Sequence, residues 1–154
     1  ISSTQQRMDD LKVALIYQFA KYTQWPNSND TAITFCTLRD NYFHHRMDKI
    51  LGKTVSGKTV DSQHINDIAM VNNANSDVIY IPSGLERDLP MILANLSDKP
   101  ILTVSDIKDF TLKGGMINFV RKGQRQRFEI SRRATQKTGL TMSSKLLQIA
   151  HITD

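Results

Sequence analysis

The chain has 154 residues, of which 40% are hydrophobic and 23% charged, the size and balance of one folded domain, and that excludes wholesale disorder. No apolar run approaches the ~18 residues that a membrane-spanning helix needs, and a lone cysteine, Cys36, excludes an intramolecular disulfide. The net charge of +5 is uneven: nine cations and only two acids lie between residues 108 and 137, so the C-terminal third could meet nucleic acid, anionic lipid or an acidic protein, or simply be a solvated face.

The opening Ile1-Ser2-Ser3-Thr4-Gln5 lacks an initiator Met and a basic stretch followed by an apolar one. It fits a processed, exported chain or a trimmed one. Residues 5–25 read as a helix, with Leu11, Leu15, Gln18/Phe19 and Tyr22 at helical spacing and Val13, Ile16 and Tyr17 widening the apolar arc, so that more than one side needs cover. Pro26 ends it, because Trp25 before a proline is pushed out of the α region.

Ala32–Leu38 alternates and reads as a strand. Tyr42–Leu51 reads as a helix stopped at Gly52, and the stretches 53–55 and 58–63 flank Ser56-Gly57 as a short hairpin. Residues 67–71 form one helical turn, and the apolar run 77–81 is a strand covered on both faces. Ser83-Gly84-Leu85-Glu86 has the Ser-x-x-Glu form of a capping box, predicting a helix from Ser83 to about Leu96 that Pro90 kinks or splits. Strands follow at 100–104, 116–120 and 125–130, the last two joined across Lys122-Gly123. Gly114-Gly115 reads as a tight turn needing positive φ. Ser131 caps a short helix ended at Gly139, and residues 142–151 form a closing helix. The order α-β-α-β-(α)-β-α-β-β-β-α-α predicts one α/β domain over residues 5–152, a three-layer arrangement with a mostly parallel sheet, helices on both faces and a C-terminal antiparallel hairpin at its edge.

Several stretches could carry chemistry. Gly52-Lys53-Thr54-Val55-Ser56-Gly57-Lys58-Thr59 matches the phosphate-loop pattern letter for letter. A true phosphate loop follows a strand and opens a helix; here a helix precedes and β-type alternation follows, so the expectation is a turn and no nucleotide. His44 and His45 are adjacent on a helix, point about 100° apart, and cannot grip one metal together. Cys36 lies in an apolar run and packs as a hydrophobe. Arg121, Arg125 and Arg127 alternate along a hairpin with Phe119 and Phe128, without any helix-turn-helix, RNP or zinc pattern, which argues against nucleic acid. No nucleophile–base set, metal cluster or cofactor fingerprint stands out; no enzyme, metal or cofactor is expected. In parallel sheets ligands lodge beyond the carboxyl ends of strands, which places candidate ligand contacts at Arg39-Asp40, Ser83-Gly84 and Ser105-Asp106. Candidate partner contacts are Tyr17, Tyr22 and Trp25 on the opening helix, and Arg127, Glu129 and Arg132.

Three blocks of sequence then converge. The stretch from Leu11 to Pro26, with its Leu-Lys-x-Ala start, Phe-x-Lys centre and terminal Trp-Pro, resembles the opening helix of YfiR-like proteins. Residues 51–60 resemble that family's Gly-Lys-x-Val-x-Gly-x-x-Val turn. The C-terminal blocks are the most specific: Pro100 to Asp106, Phe110, Gly114 to Val120, Arg127-Phe128-Glu129-Ile130, Gly139-Leu140 and Ser143 to Ala150. The resemblance runs from about residue 10 to 150. It implies a Rossmann-like fold, a periplasmic location, and a non-catalytic regulator that binds the periplasmic part of an inner-membrane diguanylate cyclase and lowers cyclic-di-GMP output and biofilm formation. Homodimerisation is left open, with no membrane span of its own and no nucleic acid. The family's type member carries disulfides, which a lone Cys36 cannot make, and that puts a redox switch in doubt here. The alternative is a small-molecule-binding sensor module acting on a kinase or cyclase.

Overall fold

The computed structural model describes residues 2–26 and 29–154. Helix α1 (Ser3–Lys21) opens with the Ser2 hydroxyl accepting from the Gln5 N–H at 3.1 Å, an N-cap. It stops four residues earlier than the sequence predicts. The Thr23 hydroxyl donates back to the Phe19 carbonyl at 2.7 Å, and Thr23–Gln24 becomes a short strand, β1, instead of a last helical turn. The inward stripe also differs. Asp9, Val13, Ile16, Phe19 and Ala20 are buried, whereas Leu11 (47%) and Tyr22 (36%) are exposed. One side of the helix is covered, not two.

The sheet follows from β2 (Ala32–Leu38), β4 (Lys58–Ile65), β5 (Val78–Ile81) and β6 (Leu102–Ser105), read with the short β3 (Thr54–Val55), β7 (Ile117–Lys122), β8 (Arg125–Ile130) and β10 (His151–Ile152). Its order is β10-β8-β7-β6-β5-β2-β4-β3. The pairs β2/β4, β2/β5, β5/β6 and β6/β7 are parallel, and β7/β8 and β3/β4 are antiparallel hairpins. Strands β5 and β6 are buried on every residue, as strands covered by helices on both faces are, with only β5 a continuous apolar run. Each such Val, Leu or Ile contributes about 1.5–3 kcal/mol by leaving water.

Alternation sorts the strand side chains to two faces. On one, Ile33, Phe35, Val78, Tyr80, Leu102, Val104, Ile117 and Phe119 pack under α1, α2 (Asn41–Arg46) with its 3₁₀ continuation Met47–Ile50, and α5 (Ser144–Ile149). On the other, Cys36, Leu38, Ile79 and Ile81 pack under α3 (Leu89–Leu96) and two 3₁₀ turns, Ile68–Met70 and Phe110–Lys113. This is the expected three-layer α/β architecture.

Three local expectations are corrected. The predicted helix from Ser83 begins only at Leu89, with Pro90 in its first turn, where a proline's missing N–H costs nothing. The residues before it are turns, and the Glu86 carboxylate accepts from the Gly84 N–H at 2.7 Å instead of completing a capping box. The closing helix is six residues long rather than ten. Thr141–Met142 is strand β9, antiparallel to β1, and β10 runs parallel to β8 outside the hairpin. Gly114 does take positive φ (109°), but Gly115 does not. It is there for space: a Cβ would stand 2.2 Å from the buried Phe110 ring.

Candidate functional site

The carboxyl ends of β2, β5 and β6 meet one another beneath the N-terminal half of α1. Tyr80, near the end of β5, carries a polar tip inside an apolar strand and so needs a partner. Its hydroxyl donates to the Asp106 carboxylate, and Lys12 of α1 holds the same carboxylate at 2.9 Å. The Phe43 ring of α2 stacks on Tyr80 at 4.0 Å with 20° between planes. Burial first, and then the Asp106 charge, hold the Tyr80 phenol far above its ordinary value, so it remains a protonated donor. Asp9 lies against this group, buried, with its carboxylate accepting from the Gln5 amide at 3.0 Å. Burial raises the Asp9 pKa, and the Asp106 and Asp40 charges push the same way against the Gln5 bond and Lys12. The result is a knot in which Lys12 faces the Asp106 and Asp9 carboxylates.

The candidate ligand residues divide between structural roles. Asp40 caps α2 by accepting from the Phe43 N–H at 3.0 Å. Arg39 takes positive φ (61°), donates its N–H to the Ile65 carbonyl at 2.8 Å, and accepts from His64 at its own carbonyl. The Ser105 hydroxyl donates to the Ile81 carbonyl at 2.6 Å and accepts from the Ile107 N–H at 2.9 Å. Asp106 joins the knot, and the Asp40 charge acts on its Asp9 and Tyr80. Ser83 and Gly84 lie in the turn closed by Glu86 and make none of the knot's bonds. Lys12, Tyr80 and Asp9 were missed at the sequence level. The Asp9–Lys12 spacing on one helix face, and a tyrosine inside Val-Ile-Tyr-Ile, were the signals available.

On the far side of the sheet Asn118 acts as an internal brace. Its amide donates to the Ser105 and Ile107 carbonyls, each at 2.9 Å, and its oxygen accepts from the Phe110 N–H at 3.3 Å.

The candidate partner residues are dispersed. The Tyr17 hydroxyl donates to the Thr54 carbonyl at 2.6 Å, and Lys21 and Lys53 sit over its ring, which pins α1 to the β3–β4 hairpin. Tyr22 ends α1, exposed, and its carbonyl accepts from the Ser143 N–H at 2.8 Å. Trp25 is half-buried against the α1-side core. Phe19 is fully buried, edge-on to Phe128 at 4.7 Å. Arg127 is exposed on β8, Glu129 half-buried, and Arg132 exposed at α4 (Arg132–Gln136), where it lines a cavity of about 160 Å³ with Thr135, Leu140 and Met142.

The phosphate-loop lookalike is a turn. Ser56 and Gly57 both take positive φ (50° and 81°) and Lys58 opens a strand, the chemistry of a tight hairpin. His44 stacks on His64 at 4.9 Å, and burial first, then the His64 charge, lowers its pKa. Among the described residues no three His, Cys, Asp or Glu side chains gather as a metal would need. Cys36 is buried, its sulfur accepts from the Ser76 hydroxyl at 2.7 Å, and burial pushes the thiol up to about 11.

A family model described as YfiR/HmsC-like matches residues 9–151. No curated protein matches the chain. Two solved structures share the fold. One is a conserved domain protein from Vibrio cholerae O1 biovar El Tor (TM-score 0.67, 11% identity, covering 95% of this chain and 60% of that one). The other is the ABC domain in complex with L-Trp from Streptococcus pneumonia (TM-score 0.62, 13% identity, covering 94% and 59%). The chain thus spans about three-fifths of the length of each, and at these identities the likeness shows the fold alone.

Proposed function

The chain belongs to the YfiR/HmsC-like family, and from that premise we propose that it restrains a membrane-anchored diguanylate cyclase by binding the periplasmic part of that enzyme. Members of the family are periplasmic regulators of the cyclic-di-GMP system rather than catalysts. The observation that carries the reading is the match itself, unbroken from residue 9 to residue 151. The geometry supports it. The polar groups at the carboxyl ends of the strands are bonded to one another, with Tyr80 and Lys12 both spent on Asp106, which is an arrangement that holds a shape. None of the described helices is long and apolar enough to cross a membrane, so restraint would act through contact. Tyr22, Arg127 and Arg132 are the exposed candidate contacts.

The test is a deletion strain. Loss of the gene should raise cyclic-di-GMP and biofilm mass, and expression of the chain should reverse both. Unchanged cyclic-di-GMP in the deletion would sink the reading.

A second reading, a periplasmic sensor module that takes a small molecule and acts on a kinase or cyclase, is favoured by one observation: the shared fold with a domain solved in complex with L-Trp. The candidate contacts are then Arg39, Asp40, Ser83, Gly84, Ser105 and Asp106. A rise in melting temperature on adding L-Trp, absent with L-Ala, would support it.

A further inference from the structure

The hairpin β7–β8 extends past the end of β6, which pairs with it only at Ile117 and Asn118. The extension, between Phe119 and Phe128, carries Arg121, Lys122, Arg125 and Arg127 and no acid. All four are exposed, and none is in a salt bridge among the described residues. Arg121 donates to the Met8 sulfur at the start of α1. Acids at this end are already held: Asp106 by Lys12, Asp10 by Arg46 and Lys49. Glu129, half-buried and next after Arg127 on the same face of β8, is the exception.

The register makes this more than a solvated face. Lys122 stands directly opposite Arg125, and Arg127 follows on the same face. Like charges opposite one another across a pair of strands destabilise it. A local cost of this kind, with no acid opposite the Lys122–Arg125 pair or next to it on the face, marks a site kept for something outside the fold.

We propose that this hairpin end is an electrostatic contact for an anionic lipid surface. None of the patch's four cations lines a described cavity. It exposes no Tyr, Trp or Phe, so it lacks the aromatic anchor that a protein hot spot uses and the stacking platform that single-stranded nucleic acid uses. A set of unpaired cations around one end suits a flat, fluid array of anions, where each Lys or Arg adds independently. The contact would hold the regulator at the membrane beside its target and goes beyond the cyclase reading; it is tested without the cyclase.

The experiment is co-sedimentation of the 154-residue chain with vesicles of phosphatidylcholine alone or with 30% phosphatidylglycerol. Binding is expected to the anionic vesicles only, and is expected to weaken at least tenfold when salt rises from about 50 to 300 mM, because screening shortens the reach of each charge. The double variant Lys122→Ser/Arg125→Ser should bind about 25-fold more weakly, at roughly fivefold per cation. It should melt at the same or a higher temperature, since the cross-strand repulsion is gone, and that separates lost contact from lost fold. Equal binding to neutral vesicles, or undiminished binding by the double variant, overturns the proposal. Tighter binding to polyglutamate than to the anionic vesicles overturns it in favour of an acidic protein partner.

Discussion

Gly115 is occupied by a glycine because the Phe110 ring fills the space where a side chain would begin. That ring is fully buried and has nowhere to go. Gly115→Ala should therefore cost about 1–3 kcal/mol from overpacking, read as a shift in the urea midpoint, whereas alanine at exposed Lys113 should change little. Cys36 supports a second expectation. A thiol with its pKa near 11 and no exposed surface holds almost no thiolate at neutral pH. It should stay unlabelled by a disulfide reagent in the native chain and react at once in urea. Asp9 gives a pH signature. Its folded pKa is raised, so the folded state binds the proton more tightly than the unfolded one, and the charged form weakens the fold above that pKa. Asp9→Asn should raise the melting temperature at pH 7, and the gain should vanish as the pH falls through the raised value to below the unfolded one; a gain that persists at pH 3 would show that burial of charge is not its cause. At this scale the sequence spoke clearly where a side chain serves its own backbone. Ser131 accepts from the Ala134 N–H at 3.1 Å as expected of a cap. It was mute where the partner is distant in the chain, as for Tyr80 with Asp106 and Lys12.

Between β2 and β8 the strands were legible to within a few residues, because alternation and apolar runs set them locally. The helix expected from Ser83 starts six residues late, at Leu89, and the remaining errors fall where a remote strand competes with a helix. Thr23–Gln24 and Met142 each read as helical alone, yet Thr23–Gln24 pairs with Thr141–Met142. His151–Ile152 continues a helical pattern but completes the edge of β8, whose outward N–H and C=O groups would otherwise be bare. Pro90 was read as a kink and is a beginning. Two predictions belong here. Asp154 accepts from the Ser131 hydroxyl and from the Arg132 N–H at 2.6 and 2.7 Å, extending the cap of α4; Asp154→Ala should cost about 1 kcal/mol, the usual worth of a cap. That worth should fade in acid, because these hydrogen bonds hold its carboxyl below the ordinary range and the stability they give is lost as pH falls through the lowered value. The Gly52–Thr59 segment turns into a strand, so magnesium and ATP should leave the melting temperature unchanged; a rise would overturn the reading of that loop as a turn.

For the molecule as a whole, the three-layer plan was legible because helices and strands alternate and only one layered solution covers both faces of a parallel sheet. Strand order was not, since parallel pairing leaves no local trace. Nor was the knot at the carboxyl ends, which depends on α1 lying across strands that come much later in the chain. The β1–β9 pairing has a consequence for how the molecule is made. Its two halves lie far apart in the sequence, with Thr23 beside Met142. As the polypeptide emerges from the ribosome, α1 meets strands β2, β5 and β6 well before residue 142, and with it the clasp, is synthesised. Contacts so distant carry a high loop-closure cost and form late. Helix α1 can thus settle on the early strands while its C-terminal end stays unclasped, and the last adjustment of that end waits on a strand made much later.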